Sequence, residues 1–188
     1  MIKIGITGSI ASGKTTASKI ISIRKGPLFS ADKVVKKLYM KNSFKKLVAE
    51  KLDLHLNKDF KKEVKNKILE KRGSLKKLEK IIHPLVRKEM FIFLKKNKNK
   101  KLLFFEIPLL FESKLVKYFD VIIFIRSNNN LRLKRYILKK GSIKLFSLLN
   151  KHQLKDVKKM RFCDHIVVNN KSLSVLKKKL LNIIKLYE

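Results

Sequence analysis

The sequence lacks what a membrane or secreted protein would need. No apolar run approaches the roughly 18–20 residues of a spanning helix; Leu102–Phe105 and Val121–Ile125 are strand-sized. A cleavable leader is not expected, because a glycine-rich motif opens at Gly8 and cleavage would destroy it. The single cysteine, Cys163, excludes an intramolecular disulfide and fits a reducing compartment. It reads as a small buried or half-buried hydrophobe rather than a nucleophile. These absences predict a cytoplasmic protein without a membrane partner.

Acids are scarce as well. Against 48 lysines and arginines stand 14 aspartates and glutamates, a formal net charge of +34 over 188 residues. Glycine (6), proline (3) and tryptophan (0) are depleted while Lys, Asn, Ile and Phe are abundant, the pattern of AT-rich codons. Lysine is spread over nearly every expected helix, without the aromatic–basic interleaving that stacks bases. The charge therefore reads as codon bias, with no specific nucleic-acid partner, although its field favours encounter with polyanionic nucleotides. Hydrophobic residues make up 45% of the chain, enough for one well-buried domain and too few residues for two ordinary ones.

What is present begins at the amino terminus. Ile2, Ile4 and Ile6 alternate with Lys3 and Gly5 as a strand, and a helix follows over 14–24. Between them Gly8-Ser9-Ile10-Ala11-Ser12-Gly13-Lys14-Thr15 fills G-x-x-x-x-G-K-[ST] at every required position. Glycines let successive N–H groups curl around a phosphate, and the helix N-terminus adds its positive end. Lys14 suits the β- and γ-phosphates and the Thr15 hydroxyl suits Mg²⁺. Residues 8–16, through Thr16, are thus the expected nucleotide cradle.

Further strands are expected at Leu28-Phe29, Leu102–Phe105, Asp120–Ile125 and His165–Val168. From 33 to 97 only helices are expected: one opening at Ser30-Ala31-Asp32, then Phe44–Leu52, Phe60–Leu69 and Leu75–Leu94. His83-Pro84 is expected to kink or restart the last. Asn128–Lys139 reads as a helix, Gly141–Lys159 as a loop and helix, and Leu173 to Ile184 as a closing helix. Strands alternating with helices predict an α/β fold of the P-loop type, a five-stranded parallel sheet flanked by helices. It would be a single domain over 1–188, with a helical acceptor-binding insertion at about 33–97 and a small lid at about 136–158. A lid suits a kinase, which must exclude water during transfer.

Phosphoryl transfer to an alcohol also needs a carboxylate near the hydroxyl and charge on the transferring group. Asp32, after a short strand, is the candidate base; a helix cap is the plainer role for it. Glu106, ending an apolar strand, is the candidate metal carboxylate. Arg132 and Arg135 are candidate phosphate clamps.

Pro108-Leu109-Leu110-Phe111-Glu112, with His83-Pro84-Leu85-Val86 upstream, resembles the dephospho-CoA kinase family. Gly5–Thr15 is similar to its Gly-Leu-Thr-Gly-Gly-Ile-Gly-Ser-Gly-Lys-Ser. Leu75–Pro84 is similar to its Leu-Glu-x-Ile-x-His-Pro, and Cys163–Asn169 to its Ala-Asp-x-Val-Ile-x-Asn. Gln153 stands where the family has a glutamine after the lid. The resemblance implies ATP-dependent phosphorylation of the ribose 3′-hydroxyl of dephospho-CoA, the last step of coenzyme A synthesis, with ATP and Mg²⁺ bound. It implies that Asp32, Lys14 and Arg135 are catalytic and that Asn169 lies near adenine. It further implies that Thr15 and Glu106 serve the metal, and that His83, Pro108, Leu109, Leu110 and Glu112 meet the acceptor. A monomer is expected.

The chain departs from that pattern in several places. Ser30 replaces an aspartate, Glu106 replaces an aspartate, and Ser9 and Ala11 replace loop glycines. Arg135 falls on a family arginine, but Lys139 and Leu149 stand where two others are found, and lysine is a poorer bidentate clamp. These departures predict a functional but slow enzyme. Two other readings remain open at this point: another nucleoside or nucleotide kinase of the same fold, and a lapsed enzyme that binds nucleotide and nucleic acid.

Overall fold

Five segments pair into one parallel sheet in the computed structural model, which describes residues 1–188 throughout. They are β1 (Ile2–Thr7), β2 (Leu28–Ser30), β3 (Leu102–Glu106), β4 (Val121–Arg126) and β5 (His165–Val168), in the order β2-β3-β1-β4-β5. β3 is buried at all five positions, as a strand apolar on both faces must be. The register sets Ile4 beside Phe104 and Val121, and Ile6 beside Glu106 and Ile123. One face of the sheet carries Ile4, Ile6, Phe104, Ile123, Ile125 and Val167. Ala17 and Ile21 of α1 (Lys14–Ser22) and Leu176, Leu180 and Ile184 of α9 (Leu173–Ile184) cover it. Each wholly buried Ile or Phe there stabilises the fold by about 2–3 kcal/mol in transfer terms.

The other face is closed by the segment after β3. Gly5 has no Cβ, and one built there would lie 2.9 Å from Leu110 Cδ1 and 3.1 Å from the Phe119 ring. Leu110 fills that space and is 0% exposed. Phe119 meets Phe105 edge-on at 5.2 Å. Pairing runs one residue further than the sequence suggested at the ends of β2 and β3, so that Ser30 and Glu106 stand side by side in register.

The chain divides into two compact units, Met1–Ala31 with Lys95–Glu188, and Asp32–Leu94. The second holds nearly all of α2 (Ala31–Leu38), then α3 (Asn42–Leu52), α4 (Phe60–Glu70) and almost all of α5 (Ser74–Lys96). Its core is Leu38, Phe44, Val48, Leu52, Phe60, Val64 and Leu78, with Tyr39 edge-on to Phe44 at 5.1 Å. α5 runs through Pro84 as one helix, so of the kink or restart expected at His83-Pro84 the restart is absent. Proline removes one hydrogen bond, and the buried Leu78, Val86 and Met90 of the same helix hold it across that gap.

In the sheet unit, α6 (Asn129–Leu138) follows β4. The stretch 141–159 is two helices, α7 (Ile143–His152) and α8 (Asp156–Met160), where one was expected. The break at Gln153–Lys155 has a local cause: Gln153 turns to extended backbone, and the Leu154 N–H leaves the helix to donate to Glu112 Oε1 at 3.0 Å. No helix is long and apolar enough to cross a membrane.

Candidate active site

Strand β1 delivers the chain to its carboxyl edge at Thr7, and the loop to α1 turns back on itself. Gly8 has φ +147° and Gly13 φ +100°, values open to glycine. A Cβ on Gly8 would collide with Ile125 O, and one on Gly13 with the Asn169 amide. Ala11 adopts φ +58° without glycine's freedom. Lys14 is buried, and its ammonium donates to Ser9 O at 2.9 Å, inside the loop it serves. Ser12 Oγ is buried with no hydrogen-bond partner. Thr15 and Thr16 are exposed at the start of α1.

Glu106, 1% exposed at the end of β3, is held by hydroxyls on both oxygens. The Thr15 hydroxyl donates to Oε1, and Ser30 Oγ donates to Oε2 at 2.9 Å. A hydroxyl beside a buried carboxylate is a hard-oxygen donor set, the kind that suits Mg²⁺. No group of three His, Cys, Asp or Glu side chains gathers anywhere.

The arginines divide their work. Arg135 donates to Ser127 Oγ and to Asn169 O, both at 3.1 Å, and so braces the ends of β4 and β5. Arg132 is 6% exposed and reaches the loop itself: one nitrogen donates to Asn150 Oδ1 at 2.8 Å and lies 3.5 Å from Ile10 O. Burial lowers the Arg132 guanidinium from its ordinary value, against the opposing charge of Asp156. Sequence placed both arginines on one helix and gave no means to tell the loop contact from the brace.

Asn169 is buried, and its amide donates to Ser12 O at 2.9 Å. That side chain buttresses the loop from beneath. Residues 150–160 bear on the loop from another side. The Ile10 N–H donates to Gln153 Oε1 at 3.0 Å, and the Ser9 hydroxyl donates to Asp156. Beside α8 lies a cavity of about 450 Å³ lined by Ser127, Asn128, Arg132, Asp156, Val157 and Met160, within the usual size range of small-molecule sites.

After β3, Pro108 O accepts from Thr7 Oγ1 at 3.2 Å. Pro108 and Leu109 are half-buried. Leu110 belongs to the core beneath Gly5, which corrects its expected contact with an acceptor: a side chain at 0% exposure has no free face. The Glu112 carboxylate lies 2.7 Å from the Lys159 ammonium, a pairing that no sequence pattern signalled. In the helical unit, Asp32 is exposed in the first turn of α2 and His83 is half-buried in α5.

A family model described as dephospho-CoA kinase matches residues 2–174. A dephospho-CoA kinase of Fusobacterium nucleatum is 35% identical over 182 residues, spanning 94% of this chain and 93% of its own. Among solved structures, a dephospho-CoA kinase from Campylobacter jejuni aligns with a TM-score of 0.66 at 26% identity, over 97% of this chain and 95% of its own. A Thermus thermophilus protein aligns with a TM-score of 0.78 at 23% identity, over 100% and 98%, a likeness of fold.

Proposed function

The chain belongs to the dephospho-CoA kinase family, and from that premise we propose how its residues divide the reaction. It is a kinase that uses ATP and acts on dephospho-CoA, the last step of coenzyme A synthesis. The hydroxyl that receives the phosphate is the ribose 3′-hydroxyl, and the protein's own groups do four things there.

The loop 8–16 binds the donor phosphates through its N–H groups and Lys14. Lys14 exchanges Ser9 O for phosphate oxygens when ATP enters. Arg132 adds positive charge at the loop tip, and Arg135 keeps Ser127 and Asn169 in place behind it. The cavity beside α8 offers room for the donor's nucleoside.

Thr15 and Glu106 hold Mg²⁺, with Ser30 fixing the second carboxylate oxygen. Held there, Mg²⁺ would supply positive charge against the charge that develops on the transferring phosphoryl group. Asp32 accepts the proton of the attacking 3′-hydroxyl. Pro108 and Leu109 are the acceptor-side residues of the sheet unit, and His83 is that of the helical unit.

The observation that carries this division is the Thr15–Glu106–Ser30 cluster. It sets a buried carboxylate against the hydroxyl of Thr15, the residue that this loop motif gives to a metal. ADP release measured with dephospho-CoA, nucleosides and nucleoside monophosphates as acceptors tests the substrate assignment. Release with dephospho-CoA at least a hundredfold above the rest is expected; a nucleoside or nucleotide preferred over it contradicts the assignment.

A further inference from the structure

Lys159 is an oddity in a chain whose lysines are nearly all solvated. Its side chain is 0% exposed, and its charge faces one carboxylate, Glu112, itself 14% exposed. Replacing a buried ion pair with apolar side chains is commonly neutral or stabilising, so stability is a weak reason for this one. The Glu112 oxygens are also closed to a ligand. Oε1 accepts from the Leu154 N–H and faces Lys159, while Oε2 is buried without a partner.

The pair joins two segments with different tasks. Glu112 ends the 108–112 segment, whose other end is tied to β1 by Thr7 Oγ1 and Pro108 O. Lys159 lies in α8, which opens at Asp156. That stretch carries Asp156 to the Ser9 hydroxyl and Gln153 to the Ile10 N–H. A continuous line of contacts therefore runs from Pro108–Glu112 through Lys159 and Leu154 to the tip of the phosphate loop. Phe111 and Phe162 flank it with rings 6.4 Å apart.

We propose that Glu112 and Lys159 are positioning residues that couple acceptor binding at 108–112 to the geometry of the phosphate loop. The inference rests on the reading of Pro108 and Leu109, at the head of the 108–112 segment, as part of the acceptor side. An acceptor that settles the 108–112 segment fixes Glu112. Lys159 and Leu154 follow it, and Gln153 and Asp156 set Ser9 and Ile10 for the donor. Such coupling is reciprocal: each ligand tightens the other by the same factor.

The test measures the Kd of a non-hydrolysable ATP analogue with and without saturating dephospho-CoA. The wild type should bind the analogue about tenfold more tightly with acceptor present, a mid-range coupling. In Glu112→Gln/Lys159→Gln, which removes the pair without stranding a charge, the ratio should fall below twofold, while affinity for the analogue alone changes less than threefold. Lys159→Arg should retain at least half of the coupling in log terms.

Amide exchange on the wild type needs no variant. Dephospho-CoA alone should slow exchange at Ser9 and Ile10. Unchanged exchange there, no coupling in a wild type that makes CoA, or full coupling in the folded double variant would each overturn the inference and leave the kinase assignment standing. A wild type that makes no CoA would overturn the assignment on which the inference rests.

Discussion

Ala11→Gly should stabilise the protein, and the size of the gain follows from one dihedral. Ala11 sits at φ +58°, where an L side chain crowds the following carbonyl at a cost of about 1–2 kcal/mol. Glycine relieves that crowding but widens the unfolded ensemble, which costs about 0.4–1 kcal/mol. The net is a gain of about 0.5–1 kcal/mol, or a rise in Tm of about 1–4 °C for a chain of this length. Urea unfolding followed by circular dichroism should show a higher midpoint at unchanged slope. Lys140→Gly, at φ +61° on an exposed turn, serves as a comparison of the same backbone state away from the loop. Gly13→Ala should do the reverse and lose several kcal/mol, because its Cβ meets the Asn169 amide as well as the wrong φ. A lower midpoint for Ala11→Gly would refute the claim that the loop stores backbone strain there.

Other outcomes follow from the same geometry. Asp32→Asn should cut phosphate transfer by orders of magnitude while nucleotide affinity stays within about threefold; retained activity would reduce Asp32 to an acid in the first turn of α2 that favours the helix N-terminus. Glu106→Gln should raise the Mg²⁺ concentration for half-maximal rate at least tenfold, read from a metal titration at saturating ATP. Burial and the Asp164 charge, opposed by Lys159, push the Cys163 thiol up to about 12 from an ordinary 9.0. Native Cys163 should then react with iodoacetamide at pH 8 about a thousandfold more slowly than in the unfolded chain. Because the folded value is the higher one, the stability this thiol contributes is full below pH 9 and is lost as pH rises from 9 towards 12. Cys163→Ala should flatten that part of the stability curve.

The phosphate loop was legible in the sequence because its signal is local: eight consecutive residues, a strand before them and a helix after. The sheet followed from strand-length apolar runs at β3 and β4 that alternate along the chain with helix patterns. The pairing of Ser30 with Glu106 was not legible, since it depends on β2 and β3 each running one residue further. Leu110 was misread for want of its partner. A glycine inside a strand does signal close approach of another chain segment, but nothing in the sequence says that Leu110 takes the space over Gly5. Lys159 was hidden by numbers: among 48 basic residues, only packing distinguishes the few that are buried, Lys14, Arg132 and Lys159. The same holds for Arg132 and Arg135, three residues apart on one helix, one against the loop and the other behind it.

The most direct measurement incubates the purified protein with ATP, Mg²⁺ and dephospho-CoA and locates the new phosphate by mass spectrometry and phosphorus NMR. The account predicts CoA and ADP in equal amounts, with the phosphate on the ribose 3′-oxygen. ADP without CoA, phosphate at another position, or no product while the Fusobacterium nucleatum relative is active under the same conditions, would contradict it.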